Sequence, residues 1–275
     1  MRRFLEEPVI LHWDMRQEID DKQVIASKIM QMSLVKIRFI NPSNENDWKC
    51  IRDIITIKRD ILMFQIEYDF CELDISEKLG KSFLKHVELI PAYRGGKNTE
   101  YAINTIRNLH GKANLFQVIF YITDTNFDVS LKIIEALQFM KDVNLSIKLD
   151  KENFNSLAKI HELHFVINEL SNVYIRLPDI NLSFYDDEKI IKDVLALPYY
   201  LHGNMFIDRS GKISLYNFLP SYNYGIIDSD ILLQDAWKIL VKEHAKDLQK
   251  IEEQRRYWLK NRMEIDDESI FYRNF

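Results

Sequence analysis

The sequence predicts an α/β fold with a mostly parallel sheet, on three observations. Six short β-like runs alternate with helix-length amphipathic segments over about the first 150 residues, a pattern typical of right-handed βαβ units. Hydrophobic residues make up 47% of the 275-residue chain, which is ample for one large core. No Gly-rich fingerprint follows the first strand, which weakens a nucleotide-binding, doubly wound sheet. The periodicity alone still leaves that sheet and an incomplete TIM-like (βα) barrel open.

The predicted strands are apolar runs bounded by polar or turn residues. They lie at 9–13, 34–40, 61–68, 86–90, 115–122 and 144–149. The helices between them carry apolar residues at helical spacing, at 20–32, 73–84, 99–109 and 127–141. A further helix, which carries Trp48, is expected to be capped by Asn46 or Asp47.

The middle of the chain is less regular. Residues 159–167 and 172–177 are typical of further strands, and a helix at 187–197 precedes a soft boundary. We therefore expect a partial barrel over residues 1–198 and a smaller region over residues 199–275.

That smaller region begins with a predicted β-hairpin at residues 204–216. Its turn lies at Arg209-Ser210-Gly211, where Gly211 is free to take a positive φ. A helix is predicted at 228–240. The mixed charges and thin apolar seam of residues 241–267 indicate a long, largely exposed helix.

The hairpin carries the pattern Gly203-x-Met205-x-Ile207-x-x-x-Gly211-x-Ile213, and a loop and a helix follow it. This order resembles the C-terminal module of SPASM-type radical SAM peptide maturases over about forty residues. In active members, cysteines after the hairpin bind auxiliary iron–sulfur clusters, and here none follows. The closer match is to the pseudo-radical-SAM/SPASM proteins of Bacteroidetes peptide-modification systems. The resemblance favours an incomplete TIM-like barrel of about six parallel strands, followed by a SPASM-like hairpin and helix.

Active radical SAM enzymes hold a four-iron cluster on a CxxxCxxC motif just after the first barrel strand. The corresponding residues here are Asp14-Met15-Arg16-Gln17-Glu18, with no thiolate among them. The resemblance therefore implies a pseudoenzyme with no catalytic residues, metal ligands or cofactors. It would bind a precursor peptide or an active maturase in a ribosomal peptide-modification system. A cluster-independent βα-barrel enzyme with acidic residues at the strand ends is the alternative.

Composition limits the partners and the compartment. A net charge of −5 argues weakly against nucleic acid. No run approaches the 18 apolar residues of a membrane-spanning helix, and no apolar stretch of a signal peptide follows the first residues. We expect a cytoplasmic protein with no membrane partner, and the oligomeric state stays open.

Metal binding is not expected from the sequence. Cys50 and Cys71 are separated by 20 residues, and two reduced, packed thiols are the favoured state. His161, Glu162 and His164 form a cluster one residue shorter than the zinc motif HExxH. On the predicted strand the two histidines would point to opposite faces.

One loop is a candidate anion site. Arg94, Gly95, Gly96 and Lys97 lie between a predicted strand and a helix. Backbone amides at a helix start, flanked by cations, suit a phosphate or a carboxylate. An ordinary βα loop with a cap at Asn98 or the next residue is the simpler interpretation, because no P-loop or GxGxxG motif is complete.

Other candidate ligand-binding residues end the strands. His12 and Trp13 end the first strand, Glu67 and Tyr68 end the third, and Asp124 follows the most apolar one. βα-barrel proteins place function at the carboxyl ends of their strands. We therefore expect these residues to face the mouth of the barrel, with ordinary packing as the alternative for each.

Overall fold

The computed structural model confirms the α/β fold class: helices accompany an open, mostly parallel sheet. It describes residues 7–16, 22–71, 74–110, 113–115, 117–137, 140, 144–149, 159, 162, 203–214, 223–226 and 230–242.

The described strands form one ten-stranded sheet. Its order is β10-β9-β8-β1-β2-β3-β4-β6-β7, and the short β5 also pairs with β4. Pairing is parallel from β8 to β7 and antiparallel within β8-β9-β10. The strands are β1 (Ile10–Asp14), β2 (Lys36–Ile40), β3 (Met63–Asp69), β4 (Glu88–Tyr93), β5 (Asn114–Leu115), β6 (Gln117–Ile122), β7 (Asn144–Leu149), β8 (Asn204–Ile207), β9 (Lys212–Ser214) and β10 (Asn223–Ile226).

The helices connect the parallel strands, as the periodicity predicts. The helix expected at 73–84 is divided, because Gly80 takes a φ of +88° after the first helix and a 3-10 turn (Phe83–Lys85) follows separately. The helices are α1 (Lys22–Met30), α2 (Glu45–Ile57), α3 (Ile75–Leu79), α4 (Thr99–His110) and α5 (Phe127–Leu137), and residues 233–242 form a further helix, α6.

The cap predicted for α2 was wrong by a few residues. Asn44 is the N-cap, and its Oδ1 accepts a hydrogen bond from the backbone N–H of Asp47 at 3.0 Å. Asp47 in turn accepts from the Asn44 N–H at 3.3 Å and from the Ser43 N–H at 2.8 Å. Asp47 therefore completes a capping box from the third helical position.

The two faces of the sheet differ because successive strand residues alternate. Leu11 and Trp13 of β1 and Ile37 and Phe39 of β2 are fully buried in one core with the helices. Trp13 and Tyr68 therefore belong to this core, and the expectation that they face the mouth was wrong.

The predicted hairpin forms β8 and β9, and β8 also pairs in parallel with β1. The turn at residues 209–211 ends on Gly211 with a φ of +74°, as expected. Asp208 fixes this turn, because its Oδ1 accepts hydrogen bonds from the backbone N–H groups of Ser210 and Lys212. The hairpin thereby extends the sheet beside the first strand.

Several predictions lie outside the described residues: the strand at 172–177, the helix at 187–197, and residues 243–267 of the charged segment. Lys159 and Glu162, the two described residues of the strand expected at 159–167, are helical instead. No helix in the described ranges is long and apolar enough to cross a membrane.

Candidate functional site

The face of the sheet opposite the helical core is lined by polar side chains. On β1 and β2, the positions that alternate with the core residues carry His12, Asp14 and Arg38, and these are only partly buried. On β3 the same face carries Gln65 and Glu67. Parallel strands that are covered on both faces are usually apolar throughout. We call this surface the polar face.

A carboxylate network lies at the carboxyl end of the polar face and is centred on Glu67. This side chain is fully buried. Its Oε2 accepts from Arg38 Nη2 at 2.6 Å, its Oε1 lies 3.5 Å from Arg94 Nη2, and the Tyr121 hydroxyl donates to Oε1. Two guanidinium groups and a phenol thus surround one acid and offset the cost of burying its charge.

Arg94 reaches this network from the end of β4. Its guanidinium carbon lies 3.6 Å from the centre of the Tyr121 ring, a cation–π contact. Its Nη2 donates to Asn41 Oδ1 at 2.9 Å. Asn41 has a φ of +53°, a conformation that asparagine tolerates better than most residues, and its N–H donates to the Glu67 carbonyl oxygen at 2.8 Å. Side chains from four neighbouring strands therefore hold one another in place.

The segment after β1 also carries charges. Arg16 bonds to both carboxylate oxygens of Asp14, at 2.6 Å from Nη2 to Oδ2 and 3.0 Å from Nε to Oδ1. The hydrogen bond to Asp14 raises the pKa of the Arg16 guanidinium against the lowering effect of burial, and the negative charge of Glu67 also raises it. Arg16 is thus an electrostatic neighbour of the Glu67 network.

A buried ion pair between α1 and α2 holds the segment that follows β1. Lys22 Nζ bonds to the Met15 carbonyl oxygen at 2.6 Å and pairs with the carboxylate of Asp47. Lys22 and Asp47 are both buried, and so is the Met15 side chain. The start of the loop after β1 is therefore pinned to helix α2.

The residues after β1 do not fit an iron–sulfur cluster. An ion pair between Asp14 and Arg16 occupies this segment, and no cysteine lies between residue 14 and Cys50 of α2. Cys50 and Cys71 are free and buried. Burial raises the pKa of the Cys50 thiol, which disfavours the thiolate that a metal needs. Within the described ranges, no three His, Cys, Asp or Glu side chains are grouped to hold a metal ion.

The two cations of the candidate anion loop contact different groups. Arg94 turns into the Glu67 network, whereas Lys97 lies over the Tyr101 ring at 5.4 Å. Gly95 and Gly96 have φ values of +102° and +85°. Asn98 caps α4, since its Oδ1 accepts from the Tyr101 N–H at 2.8 Å. The structure thus contains the capped βα loop, and anion binding there stays a prediction.

The remaining sequence candidates lie at two other places. Asp124 belongs to the turn after β6, where Lys159 donates to its carbonyl oxygen at 2.7 Å and lies 3.8 Å from its carboxylate. His12 stacks on Phe206 of the hairpin, with ring centres 4.5 Å apart and planes inclined by 16°. His12 and Phe206 form an aromatic pair on the polar face, where β1 meets β8.

Of the candidates, the structure brings Glu67 and Arg94 together, and the sequence reasoning missed their partners Arg38 and Tyr121. A signal was present: Arg38 and Tyr121 interrupt apolar strands at the alternate positions, as Glu67 does. A polar residue inside such a strand indicates a face that is not covered by apolar packing.

Comparisons with known proteins add a likeness of fold. No family model matches the chain, and no curated protein matches it. The crystal structure of Streptococcus suis SuiB, a radical-SAM-type enzyme, matches with a TM-score of 0.53 and 11% sequence identity. The match covers 85% of this chain and 66% of that one, so the chain spans just under two thirds of the SuiB chain. The chain is similar to SuiB in its fold, an open, mostly parallel α/β sheet.

Proposed function

We propose that this chain is a non-catalytic, radical-SAM-like protein that binds a precursor peptide of a ribosomal peptide-modification system along its polar face. The observation that carries the proposal is the polar face itself. His12, Asp14 and Arg38 remain partly exposed on strands whose other side is fully buried. Such a surface offers hydrogen bonds and charges to a ligand, with the His12–Phe206 pair as an aromatic platform.

An extended peptide fits this surface better than a folded maturase does. An extended peptide can place its alternate side chains against the hydrogen-bonding and charged groups of this face. A folded partner needs a broad, well-packed interface of about 1,200 Å² or more. Precursor peptides are therefore the preferred partner class.

The loop after β1 supports the non-catalytic part of the proposal. In the related enzymes this loop supplies the cluster that generates the radical, whereas here it supplies the Asp14–Arg16 ion pair. The runner-up is an enzyme that uses acids at the strand ends. Glu67 is the strongest candidate for such an acid, but both of its oxygens already bond to cations or to Tyr121. This arrangement favours a positioning role over that of a general base.

Selection from a display library of linear random peptides tests the binding role. We expect the full chain to enrich sequences that bind it in a subsequent anisotropy titration. The Phe206→Ala variant removes the aromatic platform and should weaken that binding about tenfold, which corresponds to the loss of one favourable stacking contact.

Tyr101→Ala is the matched control, because Tyr101 is an exposed aromatic residue on α4, away from the polar face. It should leave the affinity unchanged, and circular dichroism should show that both variants are folded. Failure to enrich any peptide, or equal weakening by the two variants, would count against the proposal.

A further inference from the structure

A groove of about 640 Å³ lies at the amino-terminal end of the central strands, opposite the Glu67 network. It is formed by the end of α2, the entry to β3, the 3-10 turn and the entry to β4. Strand β3 starts at this groove and reaches Glu67 four residues after Met63. The groove is therefore a separate feature from the polar-face site.

The chemistry of the groove combines apolar and cationic groups. Leu62 is 85% exposed, which is unusual for a leucine beside a well-packed core, and Phe83 is partly buried beside it. Arg59, Lys85 and His86 also line the groove. One carboxylate, Glu88, belongs to the lining, and it accepts a hydrogen bond from Gln65 at 2.7 Å. The surface suits an acidic segment that carries bulky apolar side chains.

The chain itself contains such a segment. Residues 264–272 read Glu-Ile-Asp-Asp-Glu-Ser-Ile-Phe-Tyr, with four carboxylates followed by three large apolar or aromatic residues. The carboxylates of this segment complement the cations of the groove, and its apolar residues complement the apolar lining. The neighbouring charged stretch, 241–262, mixes both signs and offers no comparable block.

The described part of the chain ends at residue 242, and the residues after it are numerous enough for this segment to reach the groove. The start of α6 and the residues just before it contact the end of α1: Lys28 Nζ donates to the Ile231 carbonyl oxygen at 3.0 Å, and Gln234 Nε2 donates to the Gln31 carbonyl oxygen at 3.3 Å. The end of α1 leads directly into β2, so this contact lies at the same end of the sheet as the groove. The 22 residues from 242 to 264 span roughly 33 Å as a helix and more when extended.

We propose that this groove binds residues 264–272 of the same chain. The acidic part lies beside Arg59 and Lys85, and the apolar part packs on Leu62 and Phe83. This contact would bury Leu62, the most exposed leucine among the described residues, and would pair Arg59 and Lys85 with carboxylates.

Photo-crosslinking of the full chain tests the proposal. Leu62→p-benzoylphenylalanine places a photoreactive ring in the groove. Irradiation should join it to the tryptic peptide 263–273, in a product with the mass of one chain. The same ring at Tyr101, also exposed but on α4, should not capture this peptide.

Charge reversal in the groove is the second test of the proposal. Arg59→Glu with Lys85→Glu, in the Leu62 photoprobe background, should lower the yield of this cross-link about fivefold, the scale of two exposed ion pairs. Adding Asp266→Lys and Asp267→Lys, whose new trypsin sites shorten the captured peptide to residues 268–273, should restore the yield. Cross-links to other peptides, no effect of charge reversal, or a product of twice the chain mass would overturn the intramolecular assignment, and the last would indicate a second copy.

Discussion

Glu67→Gln is expected to lower the free energy of unfolding by about 3 kcal/mol, the lower end of the range for breaking a buried ion pair. Glu67 is fully buried, and its removal leaves the Arg38 and Arg94 guanidinium groups without their shared counter-charge. The lower end is appropriate because both arginines keep some access to solvent. The measurement is urea unfolding followed by circular dichroism.

Glu45→Gln is the matched control for this substitution. Glu45 also pairs with an arginine, Arg52, at 2.6 Å, but its side chain is 65% exposed. Water replaces such a contact easily, so the unfolding midpoint should move little. Equal shifts for the two variants would show that the Glu67 network does not organise the ends of the strands.

Asp47→Ala is expected to destabilise the chain by about 3–5 kcal/mol, since it leaves the buried Lys22 ammonium without its partner. The same substitution removes the acceptor for the Ser43 and Asn44 N–H groups and so opens the capping box of α2. The loop after β1 should loosen as well, because Lys22 holds the Met15 carbonyl oxygen. Urea unfolding measures the first effect, and hydrogen exchange at residues 15–16 measures the second.

Asn44→Ala separates capping from charge. It removes the N-cap side chain but keeps the Lys22–Asp47 pair, so its cost should be about 1 kcal/mol. If Asp47→Ala is no worse than Asn44→Ala, the buried pair does not stabilise the fold, and the account of the β1 loop is wrong.

Much of the fold could be predicted because the determining signals are local. The apolar run at 117–122 and the helical spacing of 127–137 are each recognisable within one element. Gly211 was predicted for the same reason, since a tight hairpin turn favours glycine at a positive φ. The helix at 73–84 was only partly right, because the conformation of Gly80 divides it.

The site was harder to predict because its contacts are made across the sheet. Glu67 meets Arg38 and Tyr121 only after β2, β3, β4 and β6 assemble in the observed order. The number of residues between two strands in the sequence does not predict whether they become neighbours in the sheet. The error for Trp13 had a different cause: adjacent strand residues point to opposite faces, so His12 and Trp13 could not both face the mouth.

We propose that the chain keeps a radical-SAM-like sheet without the iron–sulfur cluster that radical SAM enzymes use. The most direct measurement is iron content after anaerobic reconstitution with iron and sulfide, followed by desalting. We expect less than about one iron atom per chain and no sulfide-to-iron absorption, because the segment directly after β1 contains no cysteine. Retention of about four iron atoms per chain with that absorption would contradict it.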